Sequence, residues 1–93
     1  MAAESINMTL NVQLIKKLRE MQAANKIVSE MLTEILLVHR EDPQIKVLSM
    51  KYFREAFGLS MAAVTPIAGW SGFGGELQDE QIDELINVNT LLQ

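Results

Sequence analysis

His39 is the single histidine of this 93-residue chain, and the chain contains no cysteine. Nucleophilic or acid–base catalysis needs a base held beside a nucleophile or a second titrating group. We find no such combination of serine, histidine and acid, and without cysteine there is no thiol nucleophile, disulfide or cysteine metal site. The sequence therefore predicts a protein that is not an enzyme and needs no cofactor, with His39 interacting with the carbonyl end of a helix.

Four carboxylates fall within six residues, at Asp79, Glu80, Asp83 and Glu84. A calcium-binding loop of the EF-hand type needs ligands at fixed steps over twelve residues around a central glycine, and this segment has neither. At helical spacing the four side chains lie instead on the outer face of a helix, where water solvates them. We therefore predict no metal site.

Residues 69–75 read Gly-Trp-Ser-Gly-Phe-Gly-Gly and hold four of the five glycines. A phosphate-binding loop follows a strand and ends in lysine, whereas this loop, placed at residues 69–76, ends in Glu76, which repels anions. We take Trp70 and Phe73 as candidate partner-binding residues, because aromatic side chains dominate protein interfaces. In the alternative interpretation, Trp70 folds down as a lid over a thin core and the glycines permit tight turns.

The first helix has to be placed before these residues can be positioned. Residues 9–40 contain neither glycine nor proline, and their apolar residues recur at steps of three and four. A helix of 32 residues would be about 48 Å long, whereas a compact chain of this size is about 32 Å across. Either the helix breaks around residues 22–26, or it projects and pairs with a second copy.

We favour the unbroken helix, because alanine, glutamine and lysine are good helix formers, and we therefore predict a homodimer. Asn25 has two interpretations: it fixes the register of the paired helices, or it faces solvent at a kink. The predicted dimer contact follows one seam of the helix, at Leu14, Leu18, Met21, Asn25, Val28 and Leu32.

Turn-forming residues delimit the second helix. Asp42 is a good N-cap and Pro43 suits a first helical position. The helix is expected to run to about Phe57, where Gly58 can take the left-handed conformation that ends a helix.

Two further helices complete the predicted fold. Ser60 caps a short third helix that Pro66 ends or kinks, and a fourth helix begins near Gln78. The fold class is all-α: a small four-helix, bundle-like domain with a long first helix, a helical hairpin and a C-terminal helix. A single domain spans residues 1–93, and residues 1–8 are expected to be disordered.

Charge is distributed unevenly along the chain. All eight basic residues lie between Lys16 and Arg54, and residues 55–93 contain six acids and no base. The net charge is therefore +2 up to Arg54 (8 − 6) and −6 after it. Opposite charges of this kind are expected to attract each other within one fold, or head-to-tail between two copies.

The function that these features favour is that of a small interaction protein (an adaptor, an inhibitor or an immunity-type accessory protein) that binds a protein partner. The lack of cysteine and of a basic, apolar leader fits a cytoplasmic location, and no apolar run is long enough to span a membrane. The alternative is a nucleic-acid-associated regulator that uses the basic face of the first helix, at Lys16, Lys17, Arg19 and Lys26.

Residues 51–67 resemble a DNA-binding helix-turn-helix with Gly58 at the turn. However, Arg54 stands where that motif needs a small residue, and residues 60–69, the would-be recognition helix, contain no basic residue. An ordinary helical hairpin is the expected structure here, and DNA recognition is not.

Overall fold

The predicted all-α class is confirmed by a computed structural model, which describes residues 10–86. The expected disorder of residues 1–8 lies outside these residues. Two 3₁₀ segments, Thr65–Gly69 and Ser71–Phe73, follow the fourth helix, and within residues 10–86 the β-type pairing is limited to one isolated bridge between Trp70 and Leu77. The helices are α1 (Val12–Ala23), α2 (Val28–Val38), α3 (Ile45–Phe57), α4 (Met61–Val64) and α5 (Asp79–Leu85).

The preference for an unbroken first helix was wrong, because α1 and α2 are separated by a bend at Asn25. Asn25 takes the left-handed conformation, with φ of 64°, which asparagine tolerates better than most residues. The Lys26 N–H donates to the carbonyl of Met21 over 2.9 Å, so the bend closes the end of α1. Helix propensity is a weak preference, and the bend lets both halves of the apolar stripe pack on one core.

The two ends of α3 follow the local signals in the sequence closely but not completely. The helix begins at Ile45, two residues after Pro43, and the Asp42 carboxylate accepts a hydrogen bond from the Gln44 N–H over 2.8 Å. At the other end, Gly58 has φ of 67° and its N–H donates to the carbonyl of Arg54, as predicted for this C-cap.

The core lies where α1, α2 and α3 meet, and α5 and the first 3₁₀ segment close it. α1 packs mainly on α3, and α5 packs on α2 and on the first 3₁₀ segment. None of the helices in the described part of the chain is long and apolar enough to cross a membrane. The fully buried side chains come from all five helices and the first 3₁₀ segment. They include Leu18, Met31, Leu32, Ile35, Tyr52, Phe53, Val64, Ile67 and Ile82.

Candidate functional site

Most of the residues predicted to form a dimer contact lie in the core of the single chain. Leu14, Leu18, Val28 and Leu32 are buried, while Met21 is half-buried and Asn25 is exposed. A contact between copies through the four buried side chains would first have to open the core. The bend also removes the argument from helix length, so the homodimer stays a prediction without that support.

The basic residues proposed for nucleic-acid binding do not form one free surface. The Arg19 guanidinium donates hydrogen bonds to the carbonyls of Glu55 and Ala56, at 3.2 and 3.1 Å, near the end of α3. Lys17 lies 3.9 Å from the Glu34 carboxylate. Two of the four predicted side chains are therefore engaged by their own chain, and Lys16 and Lys26 are left exposed.

Two of the four clustered carboxylates make tertiary hydrogen bonds, which corrects the expectation that all four are simply solvated. Asp79 accepts from the Trp70 indole N–H over 2.8 Å. Asp83 accepts from the Ser29 backbone N–H over 2.8 Å and from its hydroxyl over 3.3 Å. Ile27, at the N-cap position of α2, has no side-chain acceptor, so α5 supplies one for the start of α2.

The expected attraction between the basic and acidic parts of the chain is not seen as ion pairing. Within residues 10–86, the ion pair in the structure is Lys17–Glu34, and both partners belong to the basic part. Asp83 attaches the acidic part to α2 through an uncharged donor, the Ser29 N–H, while the bond from Trp70 to Asp79 lies within the acidic part. The other acids of this region, Glu55, Glu76, Glu80 and Glu84, are exposed.

The glycine-rich loop is closed by its own hydrogen bonds. The Leu77 N–H donates to the Gly69 carbonyl over 2.8 Å, and the Ser71 N–H donates to the Leu77 carbonyl over 2.7 Å. A side chain at Gly75 would overlap the Gly69 carbonyl, and one at Gly72 would overlap the Trp70 ring. The loop needs glycine at these two positions because its backbone passes so close to itself and to the indole.

Trp70 and Phe73 occupy different positions in this loop. Trp70 is 4% exposed and lies in the core, as the alternative interpretation of the loop expected. The Phe73 ring packs edge-on against it, with ring centroids 4.9 Å apart and planes at 87°, and remains half-buried. Trp70 therefore fixes the loop to the core, and Phe73 is the member of the aromatic pair that solvent partly reaches.

No protein-family model matches the chain, and no curated protein or solved structure is significantly similar to it. One surface groove of about 520 Å³ lies beside the end of α3. Lys51 and Arg54 give it positive charge that Glu55 partly opposes. None of these three side chains is buried, so they do not form an enclosed polar binding site.

A feature that the sequence reasoning missed is a long segment without charge. Residues 56–75, which we call the uncharged segment, contain no acidic or basic residue, and Glu55 and Glu76 bound it. Several of its side chains are buried, but Met61 is 48% exposed, and Ala62 and Thr65 are exposed on the neighbouring turn. The absence of charge over residues 56–75 was the signal in the sequence that could have identified this segment.

Proposed function

We propose that the chain is a small non-enzymatic interaction module that binds a protein partner through the uncharged segment, with Phe73 as the central anchor. The observation that carries this proposal is the loop closed by its own hydrogen bonds, which holds Phe73 half-buried within a stretch that has no charged residue. Adaptors, inhibitors and immunity-type accessory proteins act by binding in this way, and a cytoplasmic location is part of the same hypothesis.

The chemistry of the segment fits a protein interface better than it fits ordinary solvent exposure. The centres of interfaces are depleted in charged residues and enriched in aromatic residues and methionine. Phe73 supplies a flat aromatic edge, and Met61 supplies a flexible apolar side chain that adapts to a partner's shape. The exposed positions among residues 56–75, such as Met61, Ala62 and Thr65, carry no charge either, and this supports a role in contact.

The rigidity of the loop lowers the cost of binding. A partner does not have to order Phe73, because the Trp70 ring and the Gly69–Leu77 hydrogen bond already hold the loop. Ordering a mobile side chain at an interface costs about 0.5–1.5 kcal/mol, and a preorganised anchor avoids much of this.

The test is affinity capture from the native host with three forms of the protein. The Phe73→Ala variant removes the proposed anchor, and the matched control, Leu37→Ala, removes a side chain on α2 that is 54% exposed and lies outside the uncharged segment. We expect the wild type and Leu37→Ala to retain the same partner and Phe73→Ala to lose it. Circular dichroism of each form checks that the fold is intact.

Binding should then be measured with the purified partner. Loss of a central aromatic anchor typically weakens binding by about 2 kcal/mol or more, or roughly 30-fold. Equal affinity of Phe73→Ala and wild type would exclude Phe73 as the anchor. If the Leu37→Ala variant loses the partner and Phe73→Ala keeps it, the interface lies on α2.

A further inference from the structure

One buried hydroxyl group joins three helices. Tyr52 lies fully buried in α3, and its oxygen is 2.7 Å from the backbone nitrogen of Asn11, directly before α1. The same oxygen is 2.8 Å from Nε2 of His39, directly after α2. Asn11 also caps α1, because its side-chain oxygen accepts from the Leu14 N–H over 3.2 Å. These bonds tie the start of α1 and the end of α2 to the middle of α3.

The positions of the protons follow from the donors present. The Asn11 N–H can only donate, so the Tyr52 oxygen accepts that bond. Within residues 10–86 the hydroxyl has one other partner, His39 Nε2, so the Tyr52 proton is donated there. Nε2 must then be unprotonated, and the neutral imidazole of His39 carries its hydrogen on Nδ1.

Protonation of His39 removes the acceptor that the Tyr52 proton has within residues 10–86. Nε2 then becomes a donor and meets a hydroxyl that already accepts from Asn11. A buried donor without an acceptor is unfavourable because it has lost its bond to water and gained no other. Burial also raises the pKa of the Tyr52 hydroxyl, and the Asn11 N–H opposes that rise, so Tyr52 keeps its proton when His39 gains one.

Within residues 10–86 no carboxylate pairs with His39, although its position at the C-cap of α2 favours positive charge there. From the α1 side, residues 10–15 carry no titratable side chain. From α3, Tyr52 faces the ring, with centroids 5.5 Å apart, and Lys46 and Lys51 are the charged residues of the preceding turns. On the side of α2, Glu34 lies beside Lys17.

The loop after His39 contributes charges of both signs. Arg40, Glu41 and Asp42 follow it directly, and the Asp42 carboxylate accepts from the Gln44 N–H. In the described part of the chain no ion pair joins His39 to a carboxylate. A proton on His39 therefore breaks the bond to Tyr52 without gaining a salt bridge.

We propose that Tyr52 and His39 form a pH-sensitive clasp, in which protonation of His39 loosens the attachment of the end of α2 to α3 while Asn11 keeps its bond to Tyr52. The clasp is independent of the interaction proposed for Phe73, which lies in a different part of the chain.

The first test compares melting temperatures at about pH 7.5 and about pH 5.5, the interval in which a histidine side chain takes up its proton. Carboxylates stay largely ionised over this interval. We expect the wild type to lose about 4–8 °C on acidification. The His39→Gln variant keeps an acceptor near the Nε2 position but does not titrate, so it should lose less than half as much.

The second test uses nuclear magnetic resonance on the wild type, and it decides the matter if His39→Gln does not fold. We expect the nitrogen shifts of the single histidine to show the Nδ1–H tautomer at neutral pH. On acidification, the amide protection factor of His39, whose N–H donates to the Ile35 carbonyl at the end of α2, should fall by about tenfold, while that of Ile82 in α5 changes little. An Nε2–H tautomer, an unchanged His39 protection factor, or equal melting shifts in wild type and His39→Gln would overturn the proposal.

Discussion

The glycine-rich loop and the bend at Asn25 are both breaks between helices, but they are held in different ways. The loop is held by a buried indole, a bond from Trp70 to Asp79, and two glycines that leave no room for a side chain. The bend is held by backbone bonds of its own, such as that from Lys26 to Met21, and by the Glu30 carboxylate, which accepts from the Ile27 N–H.

Glycine content is a poor guide to flexibility in this chain. The loop has four glycines and is nevertheless fixed by tertiary packing, because two of them allow the close approach that packing requires. The bend has good helix formers around it and is nevertheless not helical. Substitutions should therefore cost more in the loop than at the bend.

The largest effect is expected at Trp70. Trp70→Ala removes a buried indole and leaves Asp79 without its donor, so it should lower the free energy of unfolding by about 3–5 kcal/mol. In a chain this small that is enough to leave much of it unfolded. Urea denaturation followed by circular dichroism measures the loss, and a value below about 1 kcal/mol would show that the loop does not depend on this packing.

A smaller but still large effect is expected at Gly75. Gly75→Ala places a methyl group against the Gly69 carbonyl, which is backbone and cannot turn aside. Overpacking of this kind costs about 1–3 kcal/mol. Fluorescence of Trp70, the single tryptophan, should shift to longer wavelength if the loop is displaced. A variant with wild-type stability and wild-type emission would contradict the close approach described here.

How much of this could be predicted depends on the range of each interaction. The C-terminus of α3 and the start of α4 could be predicted because Gly58 and Ser60 cap helices that are adjacent to them in sequence. The Ser60 hydroxyl indeed accepts from the Ala63 N–H over 3.2 Å. The bond from Ser29 to Asp83 joins residues 54 positions apart, so no pattern of neighbouring residues in the sequence predicts it.

The candidate site was only partly accessible from sequence for the same reason. Phe73 and Trp70 stood out by type, but which of them lies in the core depends on a loop closure that involves Gly69 and Leu77. The bend at Asn25 depends on burial of two helix faces against α3 and α5, and propensity along one segment does not contain that information.

Substitutions of Asp83 test whether α5 stabilises the start of α2, directly after the bend. Asp83→Asn keeps one acceptor but removes the charge, whereas Asp83→Ala leaves the Ser29 N–H at the start of α2 without its acceptor. We expect Asp83→Ala to lower the free energy of unfolding by about 1–2 kcal/mol, as for loss of an N-cap, and Asp83→Asn to cost less. Denaturant titration measures both. Equal, negligible losses would show that α5 does not cap α2.

The smallest effect is expected at Asn25, and it bears directly on oligomeric state. Asn25→Gly should be nearly neutral, because glycine takes the left-handed conformation freely, while Asn25→Ala should cost about 1 kcal/mol. If the chain instead prefers a continuous helix, alanine would favour it, raising both helix content and stability. The continuous helix is too long for the globule and would have to expose Leu18 and Leu32 to a second copy. Sedimentation equilibrium of Asn25→Ala therefore distinguishes the two structures: a monomer of reduced stability supports the bend, and a dimer of increased helicity would restore the long helix.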